Sequence, residues 1–393
     1  MPHRYQYLII GGGMTAAAAV SGIREIDTKG SIGLISADSA PPYDRPPLTK
    51  ALWKGEPIEK IWRHIENQGV ELHLAREATG LDAARKTVTD DRNDSYTYDK
   101  LLLATGGTPR RLAFGGDDIL YFRTLADYRH LRKMTETGQR FAVIGGGFIG
   151  SELAAALAIN HKEVTLVFPG RAICDRIFPA DHALFLNDYY RQKGVDVWSS
   201  ERAAELRKDN GRLLIKMQSQ RELAVDGVVA GLGIEPNVAL ARLAGLEIAD
   251  GIVVDEFLHS SRQDIFAAGD VAAFYNPALE RRLRVEHEDN ANTMGRLAGR
   301  NMAGSAEPYL HLPFFYSDLF DLGYEAVGEL DARLRTVEDW KEPHREGVVY
   351  YQREGRVRGV LLWNVWGKVD AARELIGEKR AFEPGELKNR LAA

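Results

Sequence analysis

The chain has 393 residues, too many for one hydrophobic core, and this length predicts two or three domains. Hydrophobic residues make up 45% and charged residues 27%, and the net charge of −5 gives no overall attraction to nucleic acid. Cys174 is the only cysteine, which excludes an intrachain disulfide and a redox-active cysteine pair.

The chain enters an apolar strand at Tyr5, with no basic and apolar leader before it. No apolar run approaches the roughly 20 residues that cross a bilayer. We therefore expect no signal peptide, no membrane span and a cytoplasmic location. We predict no metal site.

The first predicted elements are a strand at residues 7–10, a tight glycine turn and an alanine-rich helix. The turn has the glycine/alanine form of the dinucleotide-binding fingerprint, in which the backbone approaches a pyrophosphate at a helix N-terminus. A carboxylate after the next predicted strand, residues 32–35, suits the hydroxyls of an adenosine ribose. The contacts predicted here are Gly11, Gly13, Met14, Thr15, Ala16 and Asp38.

The same order of strand, glycine turn and helix recurs at residues 141–157. It carries the complete fingerprint and predicts a second dinucleotide site. The next strand, residues 164–168, ends without the acid that NAD-specific sites usually carry. Arg171 either meets a 2′-phosphate or is a solvated loop residue, so NADH versus NADPH stays open. The contacts predicted here are Gly145, Gly147, Phe148, Ile149 and Gly150.

Two similar strand-and-turn segments, residues 101–106 and 265–270, flank the second fingerprint and indicate an inserted domain. After Pro308 the sequence becomes aromatic-rich, with strands predicted at 324–330, 348–352 and 357–363 and a helix at 369–376. We predict an α/β fold with two Rossmann-like dinucleotide-binding domains, the second inserted in the first, and a small α+β C-terminal domain. The predicted bounds are 1–112 with 235–306, 113–234 and 307–393.

Residues 41–50 are proline-rich, which is typical of a stiff linker but also of a loop that aims Arg45 and Lys50 at a pyrophosphate. With this loop the chain resembles FAD-dependent pyridine-nucleotide oxidoreductases of the ferredoxin-reductase type. Further stretches are similar to the apoptosis-inducing factor family, and the resemblance runs from about Tyr5 to Ile376. These stretches are residues 104–110, 145–153, 284–287, 317–319 and 323–328.

The resemblance implies that Lys50 lies beside the isoalloxazine of FAD and pairs with Glu152, which could otherwise be an ordinary acid at a helix start. It implies that Phe148 and Tyr316 flank the nicotinamide, although residues 314–316 could simply be core. His287 is a candidate proton donor or a positional residue. The other residues implied to contact FAD are Arg45, Ala104, Thr105, Gly106, Arg123, Asp270 and Glu286.

The resemblance implies an oxidoreductase in which NAD(P)H gives a hydride to FAD, and electrons leave to an acceptor such as a quinone, a ferredoxin or oxygen. Thiol–disulfide chemistry is excluded because Cys174 has no cysteine partner. The alternative is a redox-sensing interaction protein with slow NADH oxidation and a stable reduced complex. The expected partners are the nicotinamide cofactor and that acceptor, without nucleic acid, and a homodimer stays open.

Overall fold

The computed structural model describes residues 3–209 and 211–391, which form two compact units. The first unit contains the chain up to Arg45, Ile58–Thr108 and Glu235–Pro313. The second contains Pro46–Pro57, Pro109–Ile234 and the chain from Phe314 onward. The three predicted domains have other bounds than these two compact units, and the predicted bounds remain predictions.

The strands, in chain order, are β1 (His3–Ile10), β2 (Ile32–Ser36), β3 (Val70–Leu74), β4 (Ala78–Asp82), β5 (Thr87–Asp90), β6 (Ser95–Leu103), β7 (Gly107–Pro109), β8 (Ile119–Tyr121), β9 (Arg140–Ile144), β10 (Glu163–Phe168), β11 (Val195–Ser199), β12 (Ala203–Asp209), β13 (Arg212–Met217), β14 (Glu222–Val225), β15 (Gly227–Ala230), β16 (Ile234–Pro236), β17 (Ile248–Ala249), β18 (Gly251–Val253), β19 (Ile265–Ala267), β20 (Ala272–Asn276), β21 (Arg281–Leu283), β22 (Phe314–Leu319), β23 (Leu322–Gly328), β24 (Arg335–Glu342), β25 (Glu346–Arg353) and β26 (Arg356–Trp363). The helices are α1 (Met14–Ile26), α2 (Leu125–Thr137), α3 (Phe148–Ile159), α4 (Ala180–Gln192), α5 (Ala239–Leu243), α6 (Glu288–Met302), α7 (Val369–Gly377) and α8 (Pro384–Leu387).

The first unit is built on a sheet of order β3-β2-β1-β6-β5-β4, with β19 also paired to β6. The strands β3, β2, β1, β6 and β19 run parallel, and the apolar residues of β1 and β6 are buried, as expected where both faces are covered. Helix α1 lies so close to α6 that a Cβ on Gly22 would lie 1.9 Å from the carbonyl oxygen of Arg296. This close packing holds the start of α1 at the carboxyl end of β1.

The second unit contains a parallel sheet of order β11-β10-β9-β15-β8 and a three-stranded sheet, β12-β13-β14. Its chain from Phe314 onward forms an antiparallel sheet of order β22-β23-β26-β25-β24, together with α7 and α8. The predicted fold class, α/β with two Rossmann-like parallel sheets and a small α+β C-terminal part, is confirmed.

The strand ends differ by a few residues from the predicted ones, and the pairing explains why. Strand β23 begins at Leu322 because Leu322 pairs with Leu319 across a tight hairpin. Phe320 in that hairpin has φ +63°, a turn conformation that the sequence pattern does not announce. Within the described residues, no helix has the length and apolar character that a membrane crossing requires.

Candidate active site

The first glycine turn joins β1 to α1 and touches the loop that follows β6. Gly11 has φ +123°, a conformation that favours glycine. A Cβ on Gly11 would lie 2.1 Å from the carbonyl oxygen of Ala104, so the two backbones are in direct contact. Gly13 is the N-cap of α1 and has no side chain to bond the first helical N–H groups. Those N–H groups suit a bound anion.

Two charged residues that the sequence predicts to contact FAD follow β2. The carboxylate of Asp38 accepts hydrogen bonds from the Ala40 N–H at 3.0 Å and the Tyr43 hydroxyl at 3.1 Å, which fix its orientation. The Arg45 guanidinium is the nearest group to the position that a Cβ on Gly13 would take, at 3.8 Å. A cation therefore lies at the N-terminus of α1, where a pyrophosphate would be bound.

The loop after β6 is held by a residue that the sequence analysis did not single out. The Asn237 side chain donates to the Thr105 carbonyl at 2.9 Å, and the Asn237 N–H donates to the Gly106 carbonyl at 2.9 Å. In return, the Thr105 hydroxyl donates to the Asn237 carbonyl at 2.8 Å. Asn237 is remote in sequence, so no spacing rule could have found it.

Asp270 and Glu286 are positioned by one arginine whose side chain is 9% exposed. Arg284 donates to the Asp270 carbonyl at 2.9 Å and forms an ion pair of 2.7 Å with Glu286. Gly269 has φ +75°, and a Cβ there would lie 2.2 Å from the Thr15 hydroxyl. The glycine therefore allows Asp270 to approach the first turn of α1.

His287 is the N-cap of α6. Its ring keeps some exposure, but desolvation lowers the pKa of His287 to about 4, against the opposing effect of the Asp270 and Asp289 carboxylates. The ring is therefore neutral near pH 7, which favours a positional or neutral hydrogen-bonding role over that of a cationic acid.

These groups fit FAD. The open position at Gly13 beside Arg45 and the uncapped start of α1 suit its pyrophosphate, and the oriented Asp38 carboxylate suits its adenosine ribose. All the residues predicted to contact FAD lie in the first unit except Lys50 and Arg123, which lie in the second. The second unit also contains Glu152, the predicted partner of Lys50, and Tyr316, predicted to flank the nicotinamide. The backbone N–H of Arg123 donates to the Asp127 carboxylate at 3.0 Å, at the start of α2.

The second glycine turn joins β9 to α3. A Cβ on Gly145, which has φ +118°, would lie 2.3 Å from the Gly231 carbonyl oxygen. A Cβ on Gly150 would lie 1.8 Å from the Gly145 carbonyl oxygen, so the helix can pack onto the turn only with glycine there. Gly147 is the N-cap of α3, and the position that a Cβ on it would take has no described neighbour within 4 Å. This geometry suits the pyrophosphate of a nicotinamide nucleotide.

The turn after β10 carries a carboxylate that the linear sequence does not reveal. The Asp175 carboxylate accepts a hydrogen bond from the backbone N–H of Arg171 at 2.8 Å. A Cβ on Gly170 would lie 2.5 Å from the same carboxylate oxygen. Asp175 thus lies against the end of β10, where dinucleotide-binding folds usually place an acid. The Arg171 side chain is exposed.

A buried ion pair lies in the second unit. The ammonium of Lys50, between two 3₁₀ turns (Pro46–Thr49 and Ala51–Lys54), lies 2.7 Å from Oε1 of Glu152 in α3. The two side chains are 11% and 4% exposed, so the charges compensate each other away from water. The Ser317 hydroxyl donates to the same carboxylate oxygen, and the Thr49 hydroxyl donates to the other, both at 2.6 Å. Thr49 and Ser317 were not among the predicted site residues.

Aromatic rings border this ion pair. The Lys50 ammonium lies 5.5 Å from the centroid of the Tyr316 ring, within cation–π range. The rings of Phe148 and Phe315 lie 5.1 Å apart. Cys174 is buried, and burial raises the pKa of its thiol to about 12, so the thiol stays protonated.

Comparison with known proteins adds to this geometry. Residues 5–295 match the pyridine nucleotide-disulphide oxidoreductase family, and residues 298–346 and 338–378 match the mitochondrion-associated C-terminal domain of apoptosis-inducing factor. The chain is 33% identical to apoptosis-inducing factor 1, mitochondrial, of Dictyostelium discoideum, over 97% of this chain and 80% of that protein. It is 31% identical to the ferredoxin–NAD(+) reductase component of the anthranilate 1,2-dioxygenase system of Burkholderia cepacia, over 97% and 96%. It also matches a chain in the crystal structure of the covalent putidaredoxin reductase–putidaredoxin complex with a TM-score of 0.92 and 27% identity, over 98% and 96%.

Proposed function

We propose that the chain is the NADH-dependent reductase of a ferredoxin-type protein. The proposal starts from what the comparisons show: the chain belongs to the pyridine nucleotide-disulphide oxidoreductase family and is an FAD-dependent NAD(P)H oxidoreductase that passes electrons to an acceptor. The predicted family, enzyme class and fold are confirmed. The nucleotide preference, the acceptor and the role of each site residue belong to the proposal.

FAD, when bound, accepts a hydride from the nicotinamide and releases the electrons to the acceptor. In the proposal the first glycine turn and Arg45 bind its pyrophosphate, and Asp38 binds its adenosine ribose. Asp270, held through Arg284, binds the ribityl chain. The remaining groups assigned to FAD are Met14, Thr15, Ala104, Thr105, Gly106, Arg123, Glu286 and His287.

The observation that carries the proposal is the buried pair of Lys50 and Glu152. A lysine charge at the reacting centre stabilises the negative charge that develops there on hydride transfer. Glu152 holds the ammonium in place, and both of its carboxylate oxygens already accept hydrogen bonds or an ion pair. Because Glu152 has little freedom to turn, Lys50 is preorganised for its role.

The nicotinamide nucleotide binds the second glycine turn in this proposal, with Phe148 and Tyr316 near the nicotinamide. NADH is favoured over NADPH because the Asp175 carboxylate lies against Gly170 at the end of β10. A carboxylate there can accept bonds from ribose hydroxyls but repels a 2′-phosphate. The name of the Burkholderia cepacia relative, which includes NAD(+), supports the same preference.

A ferredoxin-type acceptor is supported by the near-complete mutual coverage with the Burkholderia cepacia ferredoxin reductase component. A second candidate, the redox-sensing interaction protein, is supported by the match of residues 298–346 and 338–378 to the C-terminal domain of apoptosis-inducing factor. The two differ in turnover, since a reductase is re-oxidised quickly by its acceptor and a sensor keeps a long-lived reduced state.

Anaerobic stopped-flow mixing of the FAD-loaded protein with NADH or NADPH tests the proposal. We expect rapid bleaching of the flavin absorbance with NADH, slower bleaching with NADPH, and fast recovery of colour on adding a [2Fe–2S] ferredoxin. Slow bleaching to a reduced state that persists with ferredoxin, a quinone and oxygen would instead support the sensor. Fast recovery with a quinone alone would reject the ferredoxin-type acceptor.

A further inference from the structure

Three side chains with metal-binding atoms meet in the first unit, away from the glycine turns. Nδ1 of His3 and Nε2 of His73 lie 3.8 Å and 3.7 Å from the same oxygen, Oε1 of Glu71. All three atoms lie within 4.8 Å of one another. Ligand atoms of a tetrahedral zinc ion are about 3.4 Å apart, given metal–ligand distances of about 2.0–2.2 Å. The two separations from Glu71 therefore exceed this value by only a few tenths of an ångström, and the separation of the two histidine nitrogens exceeds it by at most about 1.4 Å.

The cluster is formed by residues that are distant in sequence. His3 lies on β1, and Glu71 and His73 lie on β3, while β2 pairs with both strands. Gly33 of β2 has no side chain, and a Cβ there would lie 2.5 Å from the Tyr5 ring. The missing side chain lets the Tyr5 ring occupy the space above β2 and reach His73.

The surrounding rings hold both imidazoles in place. The His3 ring stacks on Tyr96 with centroids 5.1 Å apart, and the edge of the His73 ring meets Tyr96 at 4.9 Å. The Tyr5 hydroxyl lies 2.7 Å from Nε2 of His73, within hydrogen-bonding distance. This hydroxyl must yield to a metal or become its fourth ligand. Preformed ligands lower the ordering cost of binding.

We propose that His3, Glu71 and His73 form a binding site for a zinc ion, with the Tyr5 hydroxyl as fourth ligand or hydrogen-bonding neighbour. Two imidazoles and one carboxylate suit Zn²⁺ and disfavour Mg²⁺ and Ca²⁺, which prefer oxygen ligands. His3 is 41% and Glu71 58% exposed, which leaves the ion a path of entry. A bound ion would link the first residues of β1, which pair with β6 but not with β2, to β3.

The test uses the FAD-loaded 393-residue chain without a polyhistidine tag. Zinc sulfate is titrated against a chromophoric chelator of known affinity. We expect one zinc ion per chain, bound at least about tenfold more weakly in His3→Gln and in His73→Gln. At the same zinc concentration, the rise of the unfolding midpoint should be clearly smaller in both variants than in the wild type.

His64→Gln is the matched control, because His64 also faces a glutamate, Glu66 at 3.1 Å, but without a second histidine. It should bind zinc as the wild type does. The His3 side chain is 41% exposed and that of His73 only 12%, so His3→Gln is the less disruptive substitution. If His73→Gln fails to retain FAD, the comparison of His3→Gln with the wild type still tests the site. Absence of stoichiometric zinc, equal affinity in His3→Gln and wild type, or an equal loss in His64→Gln would overturn the proposal.

Discussion

Ser317 donates a 2.6 Å hydrogen bond to Oε1 of Glu152, the same oxygen that the Lys50 ammonium contacts at 2.7 Å. The hydroxyl and the ammonium approach the carboxylate together, while Thr49 occupies its other oxygen. The proposed reacting-centre lysine is therefore held by a carboxylate that is itself held from two sides. In the proposed mechanism, this arrangement makes Thr49 and Ser317 positioning residues.

Replacing Glu152 by glutamine should slow the proposed hydride transfer. The neutral amide leaves the ammonium of Lys50 without its buried counter-charge, so the lysine turns away or loses its proton. We expect a fall of roughly 10- to 100-fold in the rate of flavin reduction, about 1.4–3 kcal/mol, measured by anaerobic stopped flow. Glu163→Gln, at the exposed start of β10, is the control and should reduce at the wild-type rate. An unchanged rate in Glu152→Gln would remove the ion pair from the proposed mechanism.

Removing the hydroxyls that hold Glu152 should lower the rate without weakening nucleotide binding. Ser317→Ala and Thr49→Val each delete one donor to a different carboxylate oxygen. We expect each to reduce the flavin reduction rate about three- to tenfold with unchanged KM for NADH, and the double variant to be non-additive. Additive effects, or a change in KM alone, would show that the hydroxyls do not act through Glu152.

Two glycines of the second turn should respond differently to alanine. A Cβ on Gly150 collides with the Gly145 carbonyl, whereas the position at Gly147 is open. Gly150→Ala should lower the free energy of unfolding by about 1–3 kcal/mol and impair NADH oxidation. Gly147→Ala should fold normally but raise KM for NADH, because its methyl group occupies the space of the pyrophosphate. Urea unfolding and steady-state kinetics separate the two effects, and equal stability of both variants would contradict the packing argument.

The Asp175 carboxylate should determine the nucleotide preference. Asp175→Asn removes the charge beside Gly170 and should raise kcat/KM for NADPH relative to NADH by roughly tenfold, about 1.4 kcal/mol. Asp188→Asn, an exposed acid on α4, serves as control and should not alter the ratio. If the ratio is the same in wild type and Asp175→Asn, the carboxylate does not face the adenosine ribose.

His182 should make the protein less stable in acid. It is fully buried among aromatic rings, with Nδ1 3.2 Å from Nδ1 of His344, and burial lowers the pKa of His182 to about 3. Between pH 6.5 and about 3 the unfolded chain binds a proton at this residue that the folded chain does not. The contribution of neutral His182 to the free energy of unfolding is therefore retained above pH 6.5 and is lost as the pH falls from 6.5 towards 3.

At pH 4.5 the unfavourable protonation of this residue should lower the free energy of unfolding by about 2.5 kcal/mol relative to pH 7. His182→Leu should show a correspondingly smaller loss of unfolding free energy between those pH values in urea titrations. His130→Asn, an exposed histidine on α2, should behave as the wild type. A loss of equal size in wild type and His182→Leu would show that His182 already titrates normally in the folded protein.

The sequence by itself determined the two glycine turns that we propose bind dinucleotides, because the conformational requirements of these turns are local. Gly11 and Gly145 need a left-handed backbone, and glycine is the residue that provides it without strain. A strand, a glycine turn and a helix follow one another within about 20 residues in each case, so periodicity and spacing are sufficient to recognise them. The family resemblance supplied Lys50 and Glu152 as candidate site residues.

Only the tertiary structure decided which other residues join these sites. Asn237 holds Thr105 and Gly106, Ser317 holds Glu152, and Asp175 lies against Gly170. The cluster of His3, Glu71 and His73 likewise depends on the order of strands in the sheet. Most of these contacts join segments far apart in the chain, and all depend on side-chain direction and strand order. Those are set by packing rather than by any local pattern, so the linear sequence carries no signal for them.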